Sequence, residues 1–358
     1  MRPKFAFADG DNSIGRILLA ATLLCLPALR PMMAQTTCKF EDLGTLGGDT
    51  SMGHAINNNG QVVGVTSLGV PYDPQSMFGF LYSNGQMTVL RTLGGPYSNG
   101  LAINDYGQMV GAAATETAQK GTPVVFETNN TWNLTFPPHR PGEGGAGQAN
   151  GINNNFHIVG AAQVKNLSVH AILWGKDLKV IDLGTFGGNT STANGLNNRH
   201  QVVGAADLAS GVSHAFLYDS KTKSMTDLGT LGGNSSSASA INDNGDIVGT
   251  AQKKNGQKHG FIYTGGKMWD LGTLGGNFSE ALGINSTGQI VGDSTTSDGE
   301  QHAFLFVDGV MTDLGKFGAD GIFNAGTGIN DNGQVVGYAQ VATGVTHAVI
   351  CTLQGEER

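Results

Sequence analysis

The side chains best suited to chemistry are histidines and aspartates that recur along an internal repeat. An imidazole beside a carboxylate can act as a general base with its orienting partner, or supply two ligands to a metal ion. Recurrence at one repeat position is instead typical of a structural role. The candidate pairs are His170 with Asp182, His214 with Asp227, His259 with Asp270, His302 with Asp313, and His347 with Asp42.

The two residues of each pair are present or absent together. In a hairpin that turns at Val307-Asp308, His302 and Asp313 would lie directly opposite each other, and a turn at Thr264-Gly265 repeats this arrangement. Five pairs distributed around an array cannot converge on one substrate, so we interpret them as hydrogen-bonded structural pairs. The two repeats without a pair hold Phe78 and Val89, or Pro123 and Asn133, at these sites.

Other motifs of catalytic or cofactor sites are missing from the sequence. The repeated Gly-Thr-Leu-Gly-Gly linker lacks the lysine and the following helix of a phosphate-binding loop. The chain also has no HExxH, no CxxC and no Ser-His-Asp arrangement. We therefore predict no catalytic residue, no metal and no cofactor.

Three aromatic side chains stand in loops whose other residues are small. Tyr97, Phe278 and Phe323 each follow a Gly-Gly-type linker that leads into a repeat. Exposed aromatic residues commonly mark binding surfaces. We predict that these three residues share one loop face and contact a glycan or protein ligand.

Seven copies of one sequence unit must position these residues. Each unit is predicted to form four short strands, because apolar and polar residues alternate and Asn-Gly or Thr-Gly turns separate the runs. Units that recur every 43 to 49 residues are typical of propeller blades. We predict an all-β, seven-bladed β-propeller of four-stranded antiparallel blades, with a β-helix or open solenoid as the alternative. The motif I-N-x-x-G-Q-V-V-G begins at Ile56, Ile103, Ile152, Leu196, Ile241, Ile284 and Ile329.

The repeat resembles a known family. Asp-Leu-Gly-Thr-Leu-Gly-Gly, the I-N-x-x-G-Q-V-V-G core and His-Ala-Phe-Leu-Tyr are similar to the signature of the HAF-repeat family of predicted extracellular bacterial proteins. The resemblance covers residues 40 to 351. It implies an exported repeat protein and supplies no activity or catalytic residues.

The first 34 residues differ from the repeats. After Arg16, an apolar run from Ile17 to Leu29 is too short to span a bilayer comfortably, and Ala34 is suited to cleavage. We interpret residues 1–34 as a signal peptide and residues 35–358 as a single seven-repeat domain. We expect the mature protein to be secreted to an extracellular or periplasmic compartment, without a membrane span.

The composition limits the partners. The chain has 56 Gly among 358 residues and only 13% charged residues, and without residues 1–34 it retains 16 Lys and Arg against 26 Asp and Glu. This acidic balance, with no basic cluster, disfavours nucleic acids and anionic lipids. We expect a monomer.

Two cysteines, Cys38 and Cys351, remain after the signal peptide, one near each end of the array. The chain begins with an outermost strand and ends with a strand that lacks its following partner. Residues 38–43 would therefore pair with residues 347–352 and complete the last blade. Alignment with the other repeats puts both cysteines beside the missing hairpin turn, so we predict a disulfide that replaces it.

Two functions of different class fit these patterns. The first is a secreted, non-enzymatic binding or scaffold propeller that contacts glycan or protein through one loop face. The second is an extracellular propeller enzyme, a lyase or glycosidase, with its site at the mouth of the central channel. An enzyme would gather Asp, Glu, His or Tyr there, whereas these repeats place mainly Ser, Asn, Gly and Thr. The sequence therefore favours binding.

Overall fold

The computed structural model describes residues 37–69, 77–116, 121–127, 130–134, 146–165, 168–317, 321–342 and 344–354. The interpretation of residues 1–34 as a signal peptide lies outside the described residues. Within the ranges given, no helix has the length and apolar character needed to cross a lipid bilayer.

The regular elements in these ranges are all β-strands, so the predicted all-β class is confirmed. The chain begins with β1 (Thr37–Asp42), and each repeat then opens with a strand that runs from a Gly-Gly linker toward an Ile-Asn or Leu-Asn turn. These first strands are β2 (Gly47–Ile56), β6 (Gly94–Ile103), β10 (Gly147–Ile152), β14 (Gly187–Leu196), β18 (Gly232–Ile241), β22 (Gly275–Ile284) and β27 (Gly321–Ile329).

Three more strands follow in most repeats. The second strands carry the Val-Val-Gly core and are β3 (Val62–Leu68), β7 (Met109–Thr115), β11 (Ile158–Gln163), β15 (Gln201–Leu208), β19 (Ile247–Lys253), β23 (Ile290–Thr296) and β28 (Gln334–Ala342). The third strands are β4 (Met77–Ser83), β8 (Thr122–Glu127), β12 (Val169–Trp174), β16 (Ser213–Asp219), β20 (Lys258–Thr264), β24 (Gln301–Val307) and β29 (Val345–Gln354). The fourth strands are β5 (Gln86–Val89), β9 (Asn130–Asn133), β13 (Val180–Gly184), β17 (Ser224–Asp227), β21 (Lys267–Asp270) and β25 (Val310–Asp313), and a short β26 (Lys316–Phe317) precedes β27.

Antiparallel pairing in sequence order groups these strands into sheets. In the described part of the chain, β6–β9, β10–β13 and β14–β17 form separate four-stranded sheets. The strands β18–β25 form an eight-stranded sheet, in which the halves are joined by one parallel pair, Lys258 with Phe278. The other strands form a nine-stranded sheet, joined in the same way by Thr50 and Thr346.

The two ends of the chain meet in this last sheet. Strand β1 pairs antiparallel with β29, from Thr37 opposite Gln354 to Asp42 opposite Val349. The two predicted segments therefore pair. The paired part of β29 runs from Val349 to Gln354, whereas residues 347–352 were expected.

The predicted disulfide is confirmed. Cys38 and Cys351 are bonded across β1 and β29, with their Cα atoms 5.2 Å apart and a sequence separation of 313. Beside the bond, the ring of Phe40 packs edge-on against that of Phe323, with centroids 5.4 Å apart. The bond and this aromatic contact fasten the first strand to the last repeat.

The hydrophobic core lies between neighbouring repeats. In one cluster, Val203 and Ala215 of the fourth repeat pack against Ile247 and Phe261 of the fifth, and all four side chains are fully buried. This arrangement follows from the repeat length, because one four-stranded sheet needs its neighbours to cover its apolar faces.

The asparagine of each Ile-Asn turn forms a hydrogen-bond cycle that the sequence does not reveal. Its Oδ1 accepts from two backbone N–H groups of its own turn, as Asn57 does from Asn59 and Gln61. Its Nδ2 donates to the backbone oxygen of the next asparagine, at 2.9 to 3.2 Å, and the last donates to the first. The cycle runs through Asn57, Asn104, Asn153, Asn197, Asn242, Asn285, Asn330 and back to Asn57.

These turns give the molecule two distinguishable ends. We call the end that carries the seven asparagine turns the turn face. We call the opposite end the linker face; there the first strands begin, at Gly47, Gly94, Gly147, Gly187, Gly232, Gly275 and Gly321.

Candidate functional site

In the structure, the histidine and the aspartate of each of the five predicted pairs are in contact. In each pair a histidine Nδ1 lies 2.8 to 3.0 Å from the carboxylate. The aspartate also accepts a hydrogen bond, at 2.7 to 2.8 Å, from the backbone N–H two residues later, which is that of Gly44, Gly184, Gly229, Gly272 or Gly315. Each carboxylate therefore ties the third strand to the turn that leads into the next repeat.

The predicted hairpin register was wrong. The β24–β25 turn lies at Asp308 and Gly309, both at positive φ, and the residue opposite Asp313 is Phe304. His302 is two residues further along the strand and reaches the carboxylate diagonally. The same shift occurs at β20–β21, which turns at Gly265 and Gly266, because two-residue loops with positive φ favour glycine.

The histidines of these pairs are largely covered by the protein. Their side chains are 8 to 21% exposed. Among the described residues, no group of three or more His, Cys, Asp or Glu could hold a metal ion. At Asp270, burial acts to raise the carboxyl pKa, but hydrogen bonds from Lys253, Gly272 and His259 together lower it.

We expect Asp270→Ala to destabilise the protein by about 1–2 kcal/mol, because it removes the buried His259 side chain's partner. Asp313→Ala should cost less, about 1 kcal/mol, since that carboxylate is nearly half exposed. Thermal melts measure both values. Lys253→Ala is the control, because it removes the lysine contacts and keeps the hydrogen bond between His259 and Asp270. Melts of both aspartate variants that superimpose on the parent would exclude a stabilising role.

A cavity of about 600 Å³ opens near the linker face where three consecutive repeats meet. The half-buried ring of Tyr97, on β6, forms part of its wall. Gly121 leaves room for this ring, since a Cβ atom there would stand 3.0 Å from the Tyr97 hydroxyl. Burial raises the pKa of Tyr97, so its hydroxyl stays neutral. Other lining residues are Val65, Met77, Asn99, Ala112, Gly147 and Gln148.

The polar side chains that line this cavity in the described part of the chain carry hydroxyl and amide groups. The Oδ1 atom of Asn99 is buried and makes no close hydrogen bond, but the Asn99 side chain interacts with the imidazole of His54. Nearby, Nδ1 of His54 lies 2.9 Å from the Gly100 carbonyl oxygen, and burial lowers the pKa of this histidine, so the ring is neutral. None of the described lining residues is charged.

The other two predicted aromatic residues have different environments. Phe278 stands on β22 at the place that Tyr97 takes on β6; it is half-buried and is not among the described residues that line the Tyr97 cavity. Phe323 is fully buried against Phe40, so its prediction as a ligand contact was wrong. The register explains the difference, because Phe323 lies opposite the small Ala339 and fills core space there.

An acidic pair escaped the sequence analysis. Glu280 on β22 lies directly opposite Asp293 on β23, and the Asp293 side chain is almost fully buried. Burial, together with the charge of Glu280, raises the pKa of Asp293 to about 6, although a hydrogen bond from Gln301 opposes the shift. On β28, burial and then these two carboxylates raise the pKa of Tyr338. The available signal was charge at positions where the other repeats carry uncharged residues.

Comparison with known proteins identifies the fold alone. No family model matches the chain, and no curated protein matches its sequence. The β-propeller domain of the trilobed protease from Pyrococcus furiosus is similar in structure, with a TM-score of 0.50, 12% identity, and coverage of 74% of this chain and 83% of that one. At such low identity the similarity supports a shared β-propeller fold and no shared activity.

Two further solved structures are similar over most of this chain. A puromycin-hydrolyzing peptidase from Mycobacterium tuberculosis has a TM-score of 0.53 and 10% identity, with coverage of 91% of this chain and 57% of that one. TolB from Acinetobacter baumannii has a TM-score of 0.47 and 11% identity, with coverage of 87% and 66%. The chain thus spans less than two thirds of either protein.

Proposed function

We propose that the chain is a secreted binding protein whose Tyr97 cavity holds an uncharged glycan. The observation that carries this proposal is the combination of the Tyr97 wall with the amide side chains of Asn99 and Gln148 and no charged group among the described lining residues. A sugar ring presents an apolar face for the aromatic side chain and hydroxyl groups for the amides. The cavity volume of about 600 Å³ lies within the range of roughly 300–1,000 Å³ typical of ligand pockets.

The architecture behind this proposal is a closed seven-bladed propeller in one domain, residues 35–358. The asparagine cycle supports seven blades around one axis, and the pairing of β1 with β29 supports completion of the last blade by the first strand. The single parallel pairs that join the larger sheets are then contacts between neighbouring blades.

The proposed location is outside the cytoplasm. The Cys38–Cys351 disulfide supports it, because such bonds persist in oxidising compartments. Membership of the HAF-repeat family and cleavage of residues 1–34 belong to the same proposal, as does a monomeric protein with no nucleic-acid partner.

Tyr97→Ala should weaken binding of a neutral oligosaccharide at least tenfold and leave the melting temperature nearly unchanged, because the ring is only half buried. A panel of neutral oligosaccharides, followed by calorimetric titration of those that bind, measures the effect. Phe278→Ala is the matched control at the equivalent position of β22.

The outcomes separate three ligand classes. Loss of binding in Tyr97→Ala alone assigns the ligand to the cavity, and loss in both variants extends the site across the linker face. If no neutral saccharide binds and a secreted protein does, through Tyr97, the ligand is a protein. Full binding in both variants contradicts the site.

The enzyme alternative has one observation in its favour. A glycosidase or lyase needs neighbouring titratable side chains, and Glu280, Asp293 and Tyr338 form such a cluster. The raised pKa of Asp293 suits a general acid near neutral pH. Turnover of polysaccharides that is lost in Asp293→Asn, and retained in Tyr97→Ala, would favour this function.

A further inference from the structure

Two adjacent turns on the turn face carry bulky residues where the other repeats carry glycine. Phe156 and His200 have φ values of 60° and 66°. A non-glycine side chain in this left-handed region is strained, and such strain tends to persist where function requires the side chain. The same turn position holds Gly60, Gly107, Gly245, Gly288 and Gly333, with φ between 71° and 90°.

These two residues border a cavity of about 450 Å³. It lies at the turn face, at the opposite end of the sheets from the Tyr97 cavity. Tyr106 forms an exposed wall, with 75% of its surface accessible, although large aromatic residues are usually more buried. Asn154, Asn155, His157 and Lys176 complete the lining.

His157 also departs from the repeat pattern. Its Nδ1 atom is buried and has no hydrogen-bond partner, and its ring packs edge-on against His200 with centroids 4.7 Å apart. In five other repeats a glutamine stands here, and its Oε1 accepts a hydrogen bond from the turn asparagine. The third repeat lacks that hydrogen bond and has instead an imidazole whose Nδ1 atom has no hydrogen-bond partner.

The charged groups around this imidazole are compatible with a bound anion. Burial lowers the pKa of His157, and the positive charges of His200 and Lys176 lower it further, against an opposing effect of Asp177. Asp177 is already bound to Lys179, 2.6 Å away. Lys176 forms no ion pair with any carboxylate in the part of the chain that the structure describes.

We propose that this cavity is a second ligand site, which binds a ring compound that carries a carboxylate. The ring would stack on Tyr106, and the carboxylate would lie between Lys176 and the imidazoles of His157 and His200. Sugar acids and aromatic acids share this chemistry. The site is independent of the Tyr97 cavity.

The test compares each acid with its uncharged counterpart. Glucuronate and glucose, and benzoate and benzyl alcohol, are titrated into the mature protein and followed by NMR shifts. One acid at least should bind ten times more tightly than its counterpart, and Lys176→Ala should remove that preference. The acid that binds identifies the ring class.

Variants separate a ligand site from a structural feature. His200→Gly restores the residue of five other repeats, so it should weaken acid binding at least tenfold without lowering the melting temperature. Lys223→Gly, at a φ of 55° outside the cavity lining, is the control and should leave binding intact. Tyr97→Ala should leave it intact as well.

Three results would overturn the proposal. The first is an absence of preference for either acid over its counterpart. The second is a lower melting temperature in His200→Gly together with unchanged binding, which would make the turn residue purely structural. The third is full acid binding by Tyr106→Ala, which decides the matter even if His200→Gly fails to fold, since the Tyr106 side chain is exposed.

Discussion

Replacement of both Cys38 and Cys351 by alanine should lower the free energy of unfolding by about 6 kcal/mol, according to the chain-entropy model for a loop of 313 residues. The bond constrains the unfolded chain, and in the folded protein it stands where other repeats have a hairpin turn. Without it, β1 is held by its pairing with β29, by Phe40, and by the contacts of Glu41 with Tyr82 and of Asp42 with His347. Chemical denaturation of the mature protein, with and without reductant, measures the difference.

The reduced parent protein is the control for this experiment, because it keeps both sulfur atoms and loses only the bond. Reductant should destabilise the parent and leave the alanine variant unchanged. Mass spectrometry of the non-reduced parent should yield a peptide that links the two cysteines. Freely alkylated thiols in the secreted protein, or equal stability of the oxidised and reduced parent, would contradict the role of the bond.

Asp293→Asn should stabilise the protein by about 3 kcal/mol at pH 8, because the carboxyl pKa is about 6 in the folded protein and about 4 when unfolded. A raised carboxyl pKa favours the folded state below pH 4, where the group is protonated in both states. This advantage is lost as the pH rises through 6. The neutral asparagine can still accept the hydrogen bond from Gln301.

The pH profile identifies the residue responsible. In the parent protein, stability should fall between pH 4 and pH 7, and in Asp293→Asn this slope should be much reduced. Glu280→Gln is the control for the neighbouring charge and should relieve only part of the slope. If Asp293→Asn is no more stable than the parent at pH 8, the carboxylate is not destabilised by its burial.

The features that sequence analysis predicted are those fixed by comparison of one repeat with another. The pairing of His302 with Asp313 could be anticipated because both positions vary together, and the disulfide because alignment superimposed Cys38 and Cys351 on the two sides of a hairpin. Both inferences tolerate a register error of one or two residues. A side-chain hydrogen bond can be made diagonally across strands, and a disulfide spans a range of Cα separations.

The features that sequence analysis missed depend on distances between repeats. Phe323 resembled a loop residue until its register placed it opposite Ala339, and the acidic pair of Glu280 and Asp293 stands in positions whose burial no alternation pattern reports. The departures at Phe156 and His200 were visible as missing glycines. Their meaning required the cavity that they border.

The asparagine cycle links the seven turns, so we expect them to unfold locally as one cooperative unit. In a linear stack of repeats, each terminal unit has one neighbour and can fray alone. Here the Nδ2 atom of every turn asparagine donates to the next turn, and its backbone oxygen accepts from the preceding turn. The cycle therefore contains no first or last member. Breaking any one link leaves a buried donor and a buried acceptor without their partner across the turns. We therefore expect the amide protons of the seven turns to exchange with solvent together, and more slowly than those of the linker face.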